Sequence, residues 1–226
     1  IERQFSAAQK RIKRGDKEAA LEIALLEKIK MALEKGSKLD IKDLPETELD
    51  YINRYNLITE KPVLYVSNLS EGDIERSQFY IEQIRELVNK EDAQVTQIIG
   101  RLEAEIALLP EEERDSFLKE LGLPESGLSR LIKASYRLLG LITFYTAVGG
   151  EEIRAWTILD GTKAASAAGK IHTDMEKGFI KAEVIHFQDL VLHGTPEAVR
   201  DKGLLRIEGR DYIVKDGDVI HFRFAL

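Results

Sequence analysis

The chain has 226 residues, 43% hydrophobic and 32% charged, and carries a net charge of −7. That balance supports a packed core rather than disorder, and it excludes a wholly basic nucleic-acid glove while leaving room for a local basic patch. There is no cysteine, which excludes disulfides, zinc–thiolate sites and thiol catalysis, and no apolar run reaches the roughly 18–20 residues needed to span a bilayer. The expectation is a cytoplasmic protein, or a piece of one.

Charge is uneven along the chain. Residues 1–60 carry twelve basic and twelve acidic side chains, whereas residues 61–140 carry ten and fifteen. The patterns differ as well: by charge and pattern the chain divides at residues 60 and 140, and the domains expected are 1–44, 45–140 and 141–226. Residues 1–35 are rich in helix formers and lack proline. Gly15 suits a helix C-terminus and Asp16 the next N-cap, which predicts helices over about 1–14 and 16–35 folded as an antiparallel hairpin, a coiled-coil arm. Leu21, Leu25, Ile29 and Leu33 then form one apolar stripe. Lys10, Arg11, Lys13 and Arg14 cluster just before the turn. They read as a basic tip for nucleic-acid phosphates, or as a solvated helix end whose cations suit the macrodipole.

In the second unit, Pro45 to Glu60 reads as a short helix and a loop. Lys61 to Asn68 reads as a strand, Ile74 to Asn89 as an amphipathic helix and Gln94 to Ile99 as a second strand. The helix turns Ile74, Phe79, Ile81, Ile84, Leu87 and Val88 to one broad face. Three helices follow: Leu102 to Leu109, Glu111 to Leu121 opened by Pro110 at N1, and one from Ser126 to near Leu139. Strand–helix–strand implies a right-handed parallel βαβ unit. Two strands are too few to bury both faces, so further strands before Ile1 are expected. Ligands of such sheets bind beyond the carboxyl ends of the strands. Those ends are Asn68-Leu69-Ser70-Glu71 and Ile99-Gly100-Arg101.

P-loop GTPases often carry Asn-Lys-x-Asp at such a strand end, where the Asp accepts two hydrogen bonds from guanine. Here Leu69 keeps the apolar stem without the charge. Glu71 is one methylene longer than Asp, which misplaces its carboxylate for guanine. The alternative is a loop whose Asn and Glu cap the helix starting near Ile74.

The third unit reads as short strands around one helix. The strands are Thr143 to Thr146, Ile153 to Ile158, Ile180 to Phe187, Leu204 to Ile207, Tyr212 to Lys215 and Val219 to Phe224; the helix is Lys163 to Ile171. Several strands gripping one helix suggest an α+β, β-grasp arrangement. All four histidines lie here, without His-x-His or His-x-x-x-His spacing. His172 is therefore expected to hydrogen-bond a carbonyl or Asp174, and Trp156 to sit in the core.

Longer strings carry a family resemblance. Lys61-Pro62-Val63-Leu64-Tyr65-Val66-Ser67-Asn68-Leu69-Ser70-Glu71, Arg154-Ala155-Trp156-Thr157 and Gly161-Thr162-Lys163-Ala164 resemble the Obg-like ATPases, the YchF family. So do the run from Ala168 to Ile180 and the run from Asp216 to Phe224. The resemblance covers the whole chain. It implies a P-loop NTPase of the translation-factor class that prefers ATP to GTP and associates with ribosomes in the cytoplasm. It further implies a coiled-coil arm over 1–44, the last part of the nucleotide domain over 45–140 and a TGS domain of β-grasp fold over 141–226. The family's Asn-x-x-Glu falls on Asn68, Leu69, Ser70 and Glu71. The family often has Ser-Ala after the second strand, where backbone groups reach the base; Ile99-Gly100 departs from that pattern, and Gly100 and Arg101 are the base-binding residues expected at that strand end.

The basic tip at Lys10, Arg11, Lys13 and Arg14 is the expected RNA or ribosome contact. ATP, with GTP weaker, is the implied nucleotide, and Mg²⁺ is implied only for the intact parent. A monomer without membrane or DNA specificity is expected. One departure stands out: no G-x-x-x-x-G-K-[ST] occurs in the sequence. The chain alone is therefore expected to be inactive, and the alternative is a non-catalytic module binding RNA, ribosome or protein.

Overall fold

A computed structural model describes residues 1–39, 44–88, 94–148 and 152–225. The chain divides into two compact units, Ile1–Pro62 and Val63–Leu226. No helix among the described residues is long and apolar enough to cross a membrane.

The first unit opens with α1 (Glu2–Ile12) and α2 (Glu18–Glu34), paired as the expected hairpin. Gly15 adopts φ +84°, and Asp16 Oδ1 accepts the N–H groups of Glu18 (3.0 Å) and Ala19 (3.3 Å), so glycine ends one helix and aspartate starts the next. The buried stripe of α2 differs from the one expected. Leu25 and Ile29 are buried, but Leu21 is 68% exposed and Leu33 37%. The inward face runs instead through Ala19, Glu22, Leu26 and Ile29. Glu22 sits inside because two partners answer its carboxylate, which a hydrophobicity pattern cannot register.

Helix α3 (Glu46–Tyr55) buries Ile52 against Leu25 and Ile29, with Leu49, Tyr55 and Leu57 packed around them. Residues 45–62 thus share the hairpin's core rather than that of the strands that follow. The expected boundary at 44 adjoins residues outside the described ones.

The second unit begins with β1 (Leu64–Asn68) and β2 (Gln94–Ile98), parallel and in register from Leu64↔Gln94 to Asn68↔Ile98. Between them lie a 3₁₀ segment (Glu71–Arg76) and α4 (Ser77–Val88). The expected helix end at Asn89 lies outside the described residues. Ile81 and Val88 are buried, whereas Phe79 and Leu87 face solvent. Helices α5 (Gly100–Leu108), α6 (Glu111–Glu120) and α7 (Gly127–Leu138) follow, and Pro110 takes the N-cap of α6 rather than N1. Ile99, Leu102, Ile106 and Leu118 form a small core beside β2.

The chain then passes through Gly140 (φ +60°) directly into a five-stranded sheet. Its strands are β3 (Leu141–Val148), β4 (Glu152–Leu159), β5 (Phe179–His186), β6 (Arg206–Glu208) and β7 (Asp218–Phe224), in the order β4-β3-β7-β5-β6. β3 and β7 run parallel; the other pairs are antiparallel. Helix α8 (Ala164–Ile171) lies against the sheet and buries Ala164, Ala165, Ala167 and Ala168 among Phe144, Val184, Ile220 and Phe222. Short helices α9 (Thr173–Lys177), α10 (Phe187–His193) and α11 (Pro196–Asp201) complete the unit.

The expected strand Tyr212 to Lys215 is not formed; one isolated bridge joins Lys163 and Ile213. The reason is the buried Asp218, whose carboxylate draws in the Tyr212 hydroxyl (2.8 Å) and the Lys215 N–H (2.9 Å), bending the segment into a turn.

Candidate functional site

The two carboxyl ends singled out in the sequence meet. The Leu69 N–H donates to the Ile98 carbonyl (2.9 Å), extending the parallel ladder one residue past β1. Asn68 Oδ1 accepts the Gly100 N–H (3.1 Å) at the start of α5. That helix has no side-chain cap from Ile99, so Asn68 satisfies one of its orphan donors from the neighbouring loop. Leu69 packs against the small core of Ile99, Leu102, Ile106 and Leu118. Ser70 Oγ donates to Asp73 Oδ2 (2.6 Å) and stabilises the 3₁₀ turn. Glu71 does not cap the following helix; its Oε1 lies 3.6 Å from Arg101 Nε, which is also 3.6 Å from Glu105 Oε1. A cavity of about 320 Å³ adjoins this edge, lined by Ser67, Asn68, Leu69, Asp73, Tyr80 and Ile84 among others.

The arrangement offers a strand-end amide, an apolar leucine and a carboxylate already turned toward a guanidinium. A guanine-reading carboxylate has to accept from two donors at once, and Glu71 shares its charge with Arg101 instead. Among the described residues no group of three His, Cys, Asp or Glu side chains that could hold a metal ion is assembled.

The basic cluster divides. Lys10, Lys13 and Arg14 are exposed at the hairpin tip. Arg11 turns inward: Nε donates to Asp16 Oδ2 (2.8 Å) and Nη1 to Glu22 Oε2 (2.7 Å). Its hydrogen bond holds the Asp16 carboxyl below the usual carboxylate range. The Tyr55 hydroxyl donates to Glu22 Oε1 (2.8 Å), and burial, then this contact, push the phenol well above its ordinary value. His172 Nδ1 accepts the Asp174 N–H (3.2 Å), the local role expected for it. Trp156 packs on the sheet core, its indole donating to Thr146 Oγ1 (3.0 Å).

One residue beside the site escaped the sequence reading. Glu103, in the first turn of α5, accepts the Gly127 N–H through Oε1 (2.6 Å) and the Leu128 N–H through Oε2 (3.1 Å). The only signal was Ser126-Gly127, a cap followed by a residue without a side chain.

The YchF-GTPase_C family model, described as a protein of unknown function (DUF933), matches residues 141–225. The Ribosome-binding ATPase YchF of Haemophilus ducreyi is 46% identical over 223 residues, covering 99% of this chain and 61% of that protein. Its counterpart in Bacillus subtilis is 42% identical over 226 residues, covering 99% and 62%. Obg-like ATPase 1 of Xenopus laevis is 42% identical over 218 residues, covering 94% and 54%. The solved structure of the Schizosaccharomyces pombe YchF GTPase superposes with a TM-score of 0.79 at 32% identity, covering 98% of this chain and 61% of that one. The chain thus spans a little over half to three-fifths of the length of these relatives.

Proposed function

The chain belongs to the Obg-like ATPase (YchF) family, and on that premise we propose that it is the base-reading and docking part of a P-loop NTPase that hydrolyses ATP in preference to GTP and associates with ribosomes. The observation that carries this is the closed edge at Asn68 and Gly100, with Glu71 turned to Arg101. Guanine presents N1–H and its exocyclic amine side by side, and a short free carboxylate reads both. Glu71 is one methylene longer, which misplaces its carboxylate for the guanine edge, while adenine has no N1–H to offer it; the exposed, 3.6 Å pair with Arg101 adds little. ATP, when bound, supplies the phosphoryl group that is transferred. The residues of this chain only seat the base: Asn68 fixes the strand end to Gly100, and Leu69 supports the loop from below.

The sequence holds no P-loop, so phosphate and Mg²⁺ binding are assigned to the length that the relatives have in addition. The order β4-β3-β7-β5-β6 around α8 supports a β-grasp TGS domain over 141–226, and the hairpin supports a coiled-coil arm over 1–44. Residues 63–140 then close the nucleotide domain, since 45–62 share the hairpin's core. The relatives' names support ribosome association, hence a cytoplasmic site of action, and Lys10, Lys13 and Arg14 supply cations for RNA phosphates.

The test is base choice. In the full-length protein, Glu71→Asp with Leu69→Lys shifts preference from ATP toward GTP. A charged bidentate contact contributes roughly 1.5–3 kcal/mol, about one to two decades. The lower end is expected, because the Gly100 N–H that could meet guanine O6 is already donated to Asn68. Competitive binding of both nucleotides reads the ratio. A ratio within about twofold of wild type, ~0.4 kcal/mol, removes base choice from Asn68 to Glu71.

A further inference from the structure

We propose that Glu103 is the positioning residue that holds Gly100 and Arg101, the first residues of α5, in their base-reading pose; this rests on the reading of that helix start as the base edge. Burial of Ile99 and Leu102 seats the start of α5 in the small core, but few polar contacts orient its first turn. Ile99 provides no side-chain cap. Arg101 is 82% exposed and its two ion pairs are 3.6 Å long, too loose and too wet to anchor a backbone. Asn68 holds Gly100 by a single bond.

Glu103 supplies the missing anchor. Both of its carboxylate oxygens accept N–H groups from the first turn of α7, where the helix dipole favours negative charge. The fit is tight: a Cβ on Gly127 would lie 2.8 Å from Glu103 Oε1 and 3.1 Å from Ile98 Cγ1, so a glycine is what admits the carboxylate. Helix α7 is a firm support. It packs on β2 and β1, and Tyr136 near its far end meets Thr157 of β4, hydroxyl to hydroxyl (3.2 Å). It also has a cap of its own, Ser126 Oγ accepting the Ser129 N–H (3.1 Å). Ser126 caps α7 at Ser129, and Glu103 satisfies two further first-turn donors while tying the first turn of α5 to that helix.

The test is fluorescent ATP and GTP analogue titration of the full-length protein, with thermal melting of each variant. Glu103→Ala is expected to weaken ATP binding by about tenfold, as two charge-assisted bonds are lost, and Glu103→Gln by less, since its amide oxygen keeps one acceptor. Ser126→Ala removes the cap of α7 without touching Glu103; it is expected to lower the melting temperature while ATP affinity stays within about twofold. Gly127→Ala displaces the carboxylate from the other side and is expected to weaken ATP binding even if Glu103→Ala does not fold.

ATP affinity within about twofold of wild type in folded Glu103→Ala, or in Gly127→Ala if the former does not fold, overturns the proposal. So does a Ser126→Ala loss as large as that of Glu103→Ala, because the effect is then general destabilisation. Asn68→Ala separates the two readings. If it leaves nucleotide binding intact, the base edge itself is misassigned; if it weakens binding and Glu103→Ala does not, only the positioning role falls.

Discussion

Asp218 has no exposed surface, yet every side of its carboxylate is answered: by Arg206 Nη2 (3.1 Å), the Tyr212 hydroxyl (2.8 Å) and the Lys215 N–H (2.9 Å). Asp218→Ala leaves a guanidinium, a phenol and a backbone donor without their acceptor. The expected cost is about 2–4 kcal/mol, read as a lower urea midpoint with unchanged slope. Burial, then the bond to Asp218, push the Tyr212 phenol up to about 12. An unfolded tyrosine titrates near 10, so Tyr212 stabilises the fold fully below about pH 10 and loses that contribution as pH rises toward 12. Thermal melting across that window should fall more steeply for wild type than for Tyr212→Phe. Some alkaline sensitivity should survive in the variant, because Tyr55 is shifted in the same direction. Such residues were hard to see in the sequence. Asn68 and Gly100 could be placed because strand ends are legible; Glu103 could not, because its partners lie 24 and 25 residues away and the contact depends on a rotamer.

The hairpin carries the lesson for elements. Its two helices and its turn were legible because Gly15 and Asp16 punctuate a run of helix formers. Which face turns inward was not, since Glu22 takes an interior position that Leu21 would claim on hydrophobicity alone. The same contact splits the basic cluster into different experiments. Reversing Lys10, Lys13 and Arg14 to Glu in the full-length protein should weaken ribosome or RNA binding. It should also flatten the log–log salt dependence by about 0.9 per lost duplex phosphate contact. Unchanged affinity and slope across a salt series return the three to solvated charge. Arg11→Glu belongs apart, because it sets a new carboxylate against Asp16 and Glu22 and loosens the hairpin itself. In the sheet, alternation located β3, β4, β5 and β7, but Tyr212 to Lys215 read as a strand because its turn is imposed by Asp218 from outside the segment.

At the scale of the whole molecule, each unit has a core of its own: Leu25, Ile29 and Ile52 in one, and the cluster around Phe144, Val184, Ile220 and Phe222 in the other. The charge pattern divides the chain at residue 60, while the expected arm ends at 44. The contacts place the boundary after Pro62, because α3 buries Ile52 against the hairpin. The 226-residue chain should not hydrolyse ATP above background, since nothing in its sequence cradles the β- and γ-phosphates. A phosphate-release assay on the purified chain checks this, and turnover that tracks the chain through successive columns contradicts it.

The alanine face of α8 has a consequence on an evolutionary scale. Ala164, Ala167 and Ala168 have no exposed surface, and Ala165 almost none, so the helix rides on the sheet at a spacing set by methyl groups alone. Enlarging one of these buried alanines overpacks the interface, which costs about 1–3 kcal/mol. Drift along this helix is thereby channelled to its outer side, where Lys163, Ser166 and Lys170 are exposed. A new surface can be written there, residue by residue, while the sheet beneath never registers the change.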